Sequence, residues 1–425
     1  MTRTATLSPE RSLAESVAVA SVLLACFVAI ASLRSWTAQL GALQMLAWAG
    51  CVALAGAFAR RPCWHARRDV ATIVAVAALL RLTVLHRPPE LSDDLWRYVW
   101  DGRVTLAGVN PYAHAPADTA LAALRDGVVH PRVNHPSLRT IYPPVAEAGF
   151  ALSQRLSPGW PGMKAWIVLN DLALVWALAT WCRRRGGSAW PAIAYAWNPL
   201  FVIEYAGSGH LEPVALLPLA LAILWNESRP KLSAACFAAA VLAKLLPLAA
   251  LPLLWRKWNA PARAIAVAVS AAGLAWFVRE AGGPSSGLEA YARTWRNNAL
   301  AFEALARALG DPAARAIATA VPFAVAAWLA WRGAETLRAL RASLRAGLLA
   351  APVLHPWYLG WALAWDPVAP SLPWLLLCAL SLLNYGVLAP PVEGGNFHLP
   401  LAWRCLEYGA PALLALALYA RRKSA

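Results

Sequence analysis

Apolar runs of roughly 17–22 residues recur along this chain, each long enough to cross the hydrocarbon core of a bilayer as a helix. Helix is the expected form because lipid offers backbone N–H and C=O groups no other partner. The first three runs fall at about 13–33, 38–59 and 70–86. Others fall at about 163–181 and 189–206, with a sixth ending near Asn226, and then at about 263–278, 313–331, 371–389 and 402–420. Residues 232–255 are ambiguous: Lys244 stands mid-run with Pro247 and Pro252 behind it, so the stretch reads either as a broken hairpin or as one span. Two shorter segments flank His355-Pro356-Trp357-Tyr358. Between about 87 and 162 no full-length apolar run occurs. The pattern predicts an all-α, polytopic transmembrane helical bundle of about 12–14 membrane segments, one domain over 1–425, with a large loop at 87–162 carrying juxtamembrane helices, one of them from Pro144 to Ser157.

Charge sets the orientation. Basic clusters lie at Arg60–Arg68, Arg183–Arg185, Arg332 to Arg345 and Arg421–Lys423, and such clusters mark cytoplasmic loops. Both termini then lie in the cytoplasm, and the 87–162 loop faces outward. The apolar run that begins near Ser12 resembles a signal peptide but leads directly into the second run, so it reads as an uncleaved first span. The mean hydropathy of +0.49 and the 23 Trp agree with a membrane protein, since Trp favours the interfaces. A net charge of +16 would suggest nucleic acid in a soluble chain. Here the charge is confined to loops and no aromatic-basic motif accompanies it, so nucleic acid is excluded as a partner. The seven Cys show neither CxxC nor zinc spacing and read as small core residues.

In a chain only 14% charged, the stretch from Ser92 to Tyr112 is exceptional, with Asp93, Asp94, Arg97, Asp101 and Arg103 inside a dozen residues. As a helix it puts Asp93, Arg97 and Asp101 on one face, with Gly102, Gly108 and Asn110-Pro111 reading as its exit. It is also consistent with an interfacial helix laced by its own salt bridges. Tyr142, His210, Glu212, Lys244 and His355 fall on the same outer side, which predicts one polar cavity opening outward. No Walker loop or GxGxxG nucleotide site is present. A transferase on that side needs an activated donor carried by lipid, and a polyprenyl-phosphate sugar fits. The chemistry calls for a carboxylate to take a proton from the acceptor hydroxyl and for cations to hold the leaving phosphate. Asp93 or Asp94 is the candidate base, with Asp94 the acid left free if Asp93 caps the helix. The two carboxylates also suit a divalent ion, but without further ligand spacing no metal or other cofactor is expected as a requirement.

The run Ser92-Asp93-Asp94, Arg97-Tyr98, Trp100-Asp101-Gly102-Arg103 and Gly108-x-Asn110-Pro111-Tyr112 resembles the first external loop of bacterial polyprenol-phosphate-mannose-dependent mannosyltransferases. These are glycosyltransferase family 87-like members of the GT-C superfamily. Tyr142-Pro143-Pro144, Trp197-Asn198-Pro199-Leu200, Glu204 to His210, Lys244 and His355-Pro356-Trp357-Tyr358 extend the likeness in order. The resemblance implies an inverting hexosyl transfer, with mannose the expected sugar, to a glycan or glycolipid acceptor. It implies Asp94 or Asp93 as general base. Arg97, Arg103, Tyr142, His210, Glu212, Lys244, His355, Trp357 and Tyr358 are candidate donor-phosphate or substrate contacts. A transporter or flippase of lipid-linked sugars is the alternative, and it would call for ionisable groups at the midplane of several spans.

Overall fold

The computed structural model describes residues 9–60, 69–283, 286–366, 371–388 and 399–423. The basic linker expected to set the orientation after the second span lies mostly outside these residues. Of the described residues 77% are helical, and none is in a strand. In chain order the helices are α1 (Pro9–Ser32), α2 (Leu40–Arg60), α3 (Asp69–Leu85), α4 (Asp94–Leu106), α5 (Pro144–Leu156), α6 (Trp160–Gly186), α7 (Glu212–Leu224), α8 (Pro230–Ala243), α9 (Ala260–Ala281), α10 (Gly287–Thr294), α11 (Leu300–Leu309), α12 (Asp311–Trp331), α13 (Thr336–Ala350), α14 (Leu372–Ser381) and α15 (Leu401–Lys423). Among the described residues, α2, α6, α9, α12 and α15 contain segments long and apolar enough to cross a membrane, and five shorter apolar helices accompany them.

Proline and asparagine punctuate this order. Pro144, Pro213, Pro230, Pro261 and Pro312 stand in the first turns of α5, α7, α8, α9 and α12, where a missing N–H leaves nothing unpaired. Asn259 caps α9 through its side-chain oxygen, 3.1 Å from the Ala262 N–H. The helix α8 ends at Ala243 because Pro247, four residues on, can neither donate to that carbonyl nor fit against it. Lys244 is extended (φ −153°, ψ 147°), and two short helical pieces follow from Leu246 to Trp255. The 232–255 stretch is therefore broken at Lys244 rather than one span.

Two expectations are corrected. The run at 189–206 is no continuous helix: it opens as a 3-10 turn at Trp190–Ala192, breaks at Asn198-Pro199 and ends in a π-helix at Val202–Ser208. The basic stretch after α12 is no linker: Arg338, Arg341 and Arg345 ride on the amphipathic helix α13, which packs on α12 where Gly347 meets Pro322.

The chain divides into two compact units, one made of residues 1–87, 172–207 and 354–425, the other of 88–171 and 208–353. In the first, α3 carries a fully buried Arg81 whose Nη1 reaches the Ala77 and Ala196 carbonyls at 3.1 and 2.8 Å. Asp69 accepts the Ala189 N–H at 2.7 Å, and Trp197 Nε1 donates to Ile73 at 3.1 Å, which fixes the broken stretch to α3. Tyr385 donates to the buried Glu204 of the π-helix at 2.6 Å. In the second unit, α4 crosses α5 so closely that a Cβ on Gly102 would lie 2.7 Å from the Phe150 carbonyl oxygen. Gly102 is thus an interior helix residue chosen for close approach, not the helix exit its sequence suggested.

Candidate active site

The second unit assembles its polar centre around the start of α4. Ser92 Oγ accepts the Asp94 N–H at 3.2 Å. Asp93 occupies the cap position but makes no capping bond with its side chain, and it is exposed. Asp94, the first residue of the helix, is half-buried. A carboxylate there is favoured by the positive end of the helix dipole. The Asn134 amide, from the loop after the turn His130–Arg132, donates to Asp94 Oδ1 at 2.7 Å and to Asp93 Oδ1 at 3.2 Å.

The turn Gly209–Glu212 closes on this helix start. Gly209 has φ +82°, and a Cβ on it would sit 2.7 Å from Leu95 of α4 and 3.2 Å from the Lys164 stem. Only glycine suits both the backbone and the gap. The turn delivers a fully buried His210 and places Glu212, also fully buried, at the head of α7. Lys244, at the break after α8, forms an ion pair with Glu212 Oε1. Burial pushes the Asp94 carboxyl above its usual range, and the adjacent Asp93 charge adds to this. The charges of His210 and Lys244 and the Asn134 hydrogen bond act against it. The arrangement is a partly accessible carboxyl with an imidazole and a lysine facing it.

Two turns further along α4 Asp101 is sealed, together with Glu147 of α5. Arg97 Nε donates to Asp101 Oδ1 and Oδ2 at 3.0 and 2.9 Å, and Nη1 donates to the Leu138 carbonyl at 3.0 Å. Thr140 Oγ1 donates to Glu147 Oε1 at 2.6 Å. Arg97, Asp101 and Glu147 are 5%, 2% and 4% exposed. Burial and the neighbouring Asp101 charge raise the Glu147 carboxyl well above its ordinary value. Tyr142 is held by its carbonyl, which accepts from Tyr112 Oη at 2.6 Å, and packs edge-on against Tyr98 with centroids 5.1 Å apart.

The residues singled out from sequence therefore sort by position. Asp93, Asp94, His210, Glu212 and Lys244 come together, with Tyr142 packed behind through Tyr98. Arg97 takes the salt-bridge alternative and holds Asp101. Arg103 pairs with Asp126 at the surface. Against a desolvation cost, that contact and the N–H groups of Val129, Val128 and His130 hold the Asp126 carboxyl down at about 2. His130 packs on Trp100 and His135 on Trp295, centroids 5.0 and 4.7 Å apart, so these histidines serve the loop. In the first unit, His355 stacks on Trp357 with centroids 4.2 Å apart, Tyr358 stands edge-on to both, and the Trp357 carbonyl accepts from Tyr205 at 3.0 Å. Among the described residues no group of three or more His, Cys, Asp or Glu is gathered to hold a metal.

Sequence reasoning missed Asn134 and Lys164. Lys164 is fully buried under the Gly209 turn, its ammonium 5.6 Å from the Trp160 ring. A lysine one turn into a span after a Trp is the signal that marks it. Nothing local distinguishes Asn134 from other loop asparagines.

Residues 140–356, just over half of the chain, match the family model of glycosyltransferase family 87. The match takes in Tyr142, His210, Glu212, Lys244 and His355 and begins after Asp93 and Asp94. No match was found among curated proteins or solved structures.

Proposed function

Since the chain belongs to glycosyltransferase family 87 and is a membrane glycosyltransferase, we propose that it moves a hexose, mannose by the resemblance of its loop motif, from a polyprenyl phosphate to a glycan or glycolipid hydroxyl, with inversion and on the outer face of a bacterial inner membrane. The observation that carries this reading is Asp94, a half-buried carboxyl hydrogen-bonded by Asn134 and faced by His210 and Lys244. Asp94 takes the proton of the acceptor hydroxyl as its oxygen bonds to the sugar C1. The C1–O bond to phosphate breaks, and polyprenyl phosphate leaves with the electron pair. Lys244 and His210 stabilise the charge gathering on that phosphate. Glu212 keeps the Lys244 ammonium in place through their ion pair. No metal is assigned a step.

A groove of about 370 Å³ between α5, α6 and α7 supports a lipid-borne donor. Val145, Ala148 and Leu152 line it from α5, and Val214, Leu217 and Leu221 from α7, the helix that Glu212 begins. These positions recur at helical spacing, so one face of each helix offers apolar contact to a prenyl chain. Separately, the stacked, half-buried His355–Trp357 pair offers a flat face of the kind sugars pack against.

The test is transfer of radiolabelled sugar from synthetic polyprenyl-phosphate-mannose by the purified protein in lipid. Wild type transfers, Asp93→Asn keeps most of the rate, and Asp94→Asn loses about 10²–10⁴-fold, the worth of a general base. Full activity of Asp94→Asn would overturn the mechanism. Failure with every polyprenyl-phosphate sugar would overturn the donor class.

A further inference from the structure

The groups that face the Asp94 carboxyl come from several elements. Asp93 and Tyr98 belong to α4 and its entry, Tyr142 precedes α5, His210 comes from the Gly209 turn, and Lys244, paired with Glu212, comes from the break after α8. Asn134, from the same loop as Tyr142, touches both acids. A primary amide has two N–H donors, so one amide nitrogen serves both carboxylates at once.

The loop is built to hold Asn134 there. On one side the Arg132 guanidinium lies 5.3 Å from the Trp96 ring of α4, and Val129 and Val133 are buried. On the other side the Leu138 carbonyl accepts from Arg97 at 3.0 Å, also on α4. The segment is thus fastened to α4 on both flanks of Asn134, and the amide is brought to the carboxylates with little freedom of its own.

We propose that Asn134 is the positioning residue of the base: it fixes Oδ1 of Asp94, leaves Oδ2 to receive the acceptor's proton, and occupies Asp93 with the same amide so that the two acids do not share a proton. This rests on the reading of Asp94 as base. A donor to the carboxylate favours its charged form, so the sign follows directly. Loss of the donor raises the pH at which Asp94 ionises, and the acid limb of the pH–rate profile moves up.

The experiment compares kcat/KM against pH for sugar transfer from polyprenyl-phosphate-mannose in wild type, Asn134→Ala, Asn134→Asp and Asp94→Asn, with thermal unfolding of each. Asn134→Ala is expected to lose about 10- to 100-fold in kcat, the worth of a hydrogen bond to a charged group, and to shift the acid limb upward. The isosteric Asn134→Asp adds a third carboxylate and shifts it further. It also carries the readout if the alanine variant does not fold. Unmoved acid limbs in both Asn134 variants, with Asp94→Asn inactive, would overturn the role of Asn134 and leave the base standing. An active Asp94→Asn would overturn the base itself.

Discussion

Two sets of acids meet at one short helix and are treated in opposite ways. At the start of α4, Asp94 is half-buried and hydrogen-bonded by a neutral amide, while the cations facing it include a lysine already engaged with Glu212. Two turns on, Asp101 is clamped by both oxygens to Arg97, and Glu147 of α5 is tied to Thr140, with hardly any surface exposed. The residue types alone would not separate the two sets. Closure does: a sealed acid with a fixed partner organises the loop, and an accessible acid without a dedicated counter-ion is the one the proposed mechanism uses as base.

The largest expected effects break the comparison along that line. Asp94→Asn is expected to lose about 10²–10⁴-fold in transfer with its unfolding midpoint in lipid or detergent nearly unchanged. Arg97→Met is expected to do the reverse in kind. It leaves the Asp101 carboxylate buried without its partner, a cost of about 3–5 kcal/mol seen as a lowered unfolding midpoint, and activity falls with the fold. An Arg97→Met variant that unfolds like wild type yet transfers no sugar would move Arg97 into the reactive set, where its resemblance to the family's loop motif first suggested it.

A smaller effect comes from the contact that sets the two helices together. Gly102→Ala puts a methyl 2.7 Å from the Phe150 carbonyl oxygen, a backbone atom that cannot swing aside. The helices must part, at about 1–3 kcal/mol. Unfolding measurements check the cost, and a normal midpoint would mean that the α4–α5 contact is softer than its geometry.

The bundle itself was legible because membrane crossing leaves one backbone solution, so apolar length alone locates most helices. The break at Lys244 was legible for a local reason, the proline four residues past Ala243. The 189–206 stretch has the composition of a span, while Asn198-Pro199 imposes its division into short pieces. The acids of α4 stood out because charge is scarce in this chain. Their sorting was not legible, since it depends on Thr140 and Glu147, 39 and 46 positions beyond Asp101, and on Asn134. A long loop brings these residues back to α4, and no periodicity encodes that return.

Glu147 offers the subtlest test of the sealed set. Its carboxyl is raised well above the ordinary range by burial and by the Asp101 charge, with the Thr140 hydroxyl and Arg97 pulling the other way. An acid whose folded value exceeds its unfolded value near 4.3 binds its proton more tightly when folded. Below that unfolded value both states hold the proton and nothing is lost. As pH climbs from there toward the raised value, the unfolded chain ionises first, and wild type loses stability. Glutamine keeps the shape and has no proton to release. Glu147→Gln should therefore unfold within about 1 kcal/mol of wild type near pH 4.5. It should gain on wild type as pH rises to 8, while transfer stays near normal. Thermal unfolding across that range is the measurement. A Gln variant that instead falls behind at high pH would mean that Glu147 works as an anion, and that the sealed set, like the open one, holds a charge of its own.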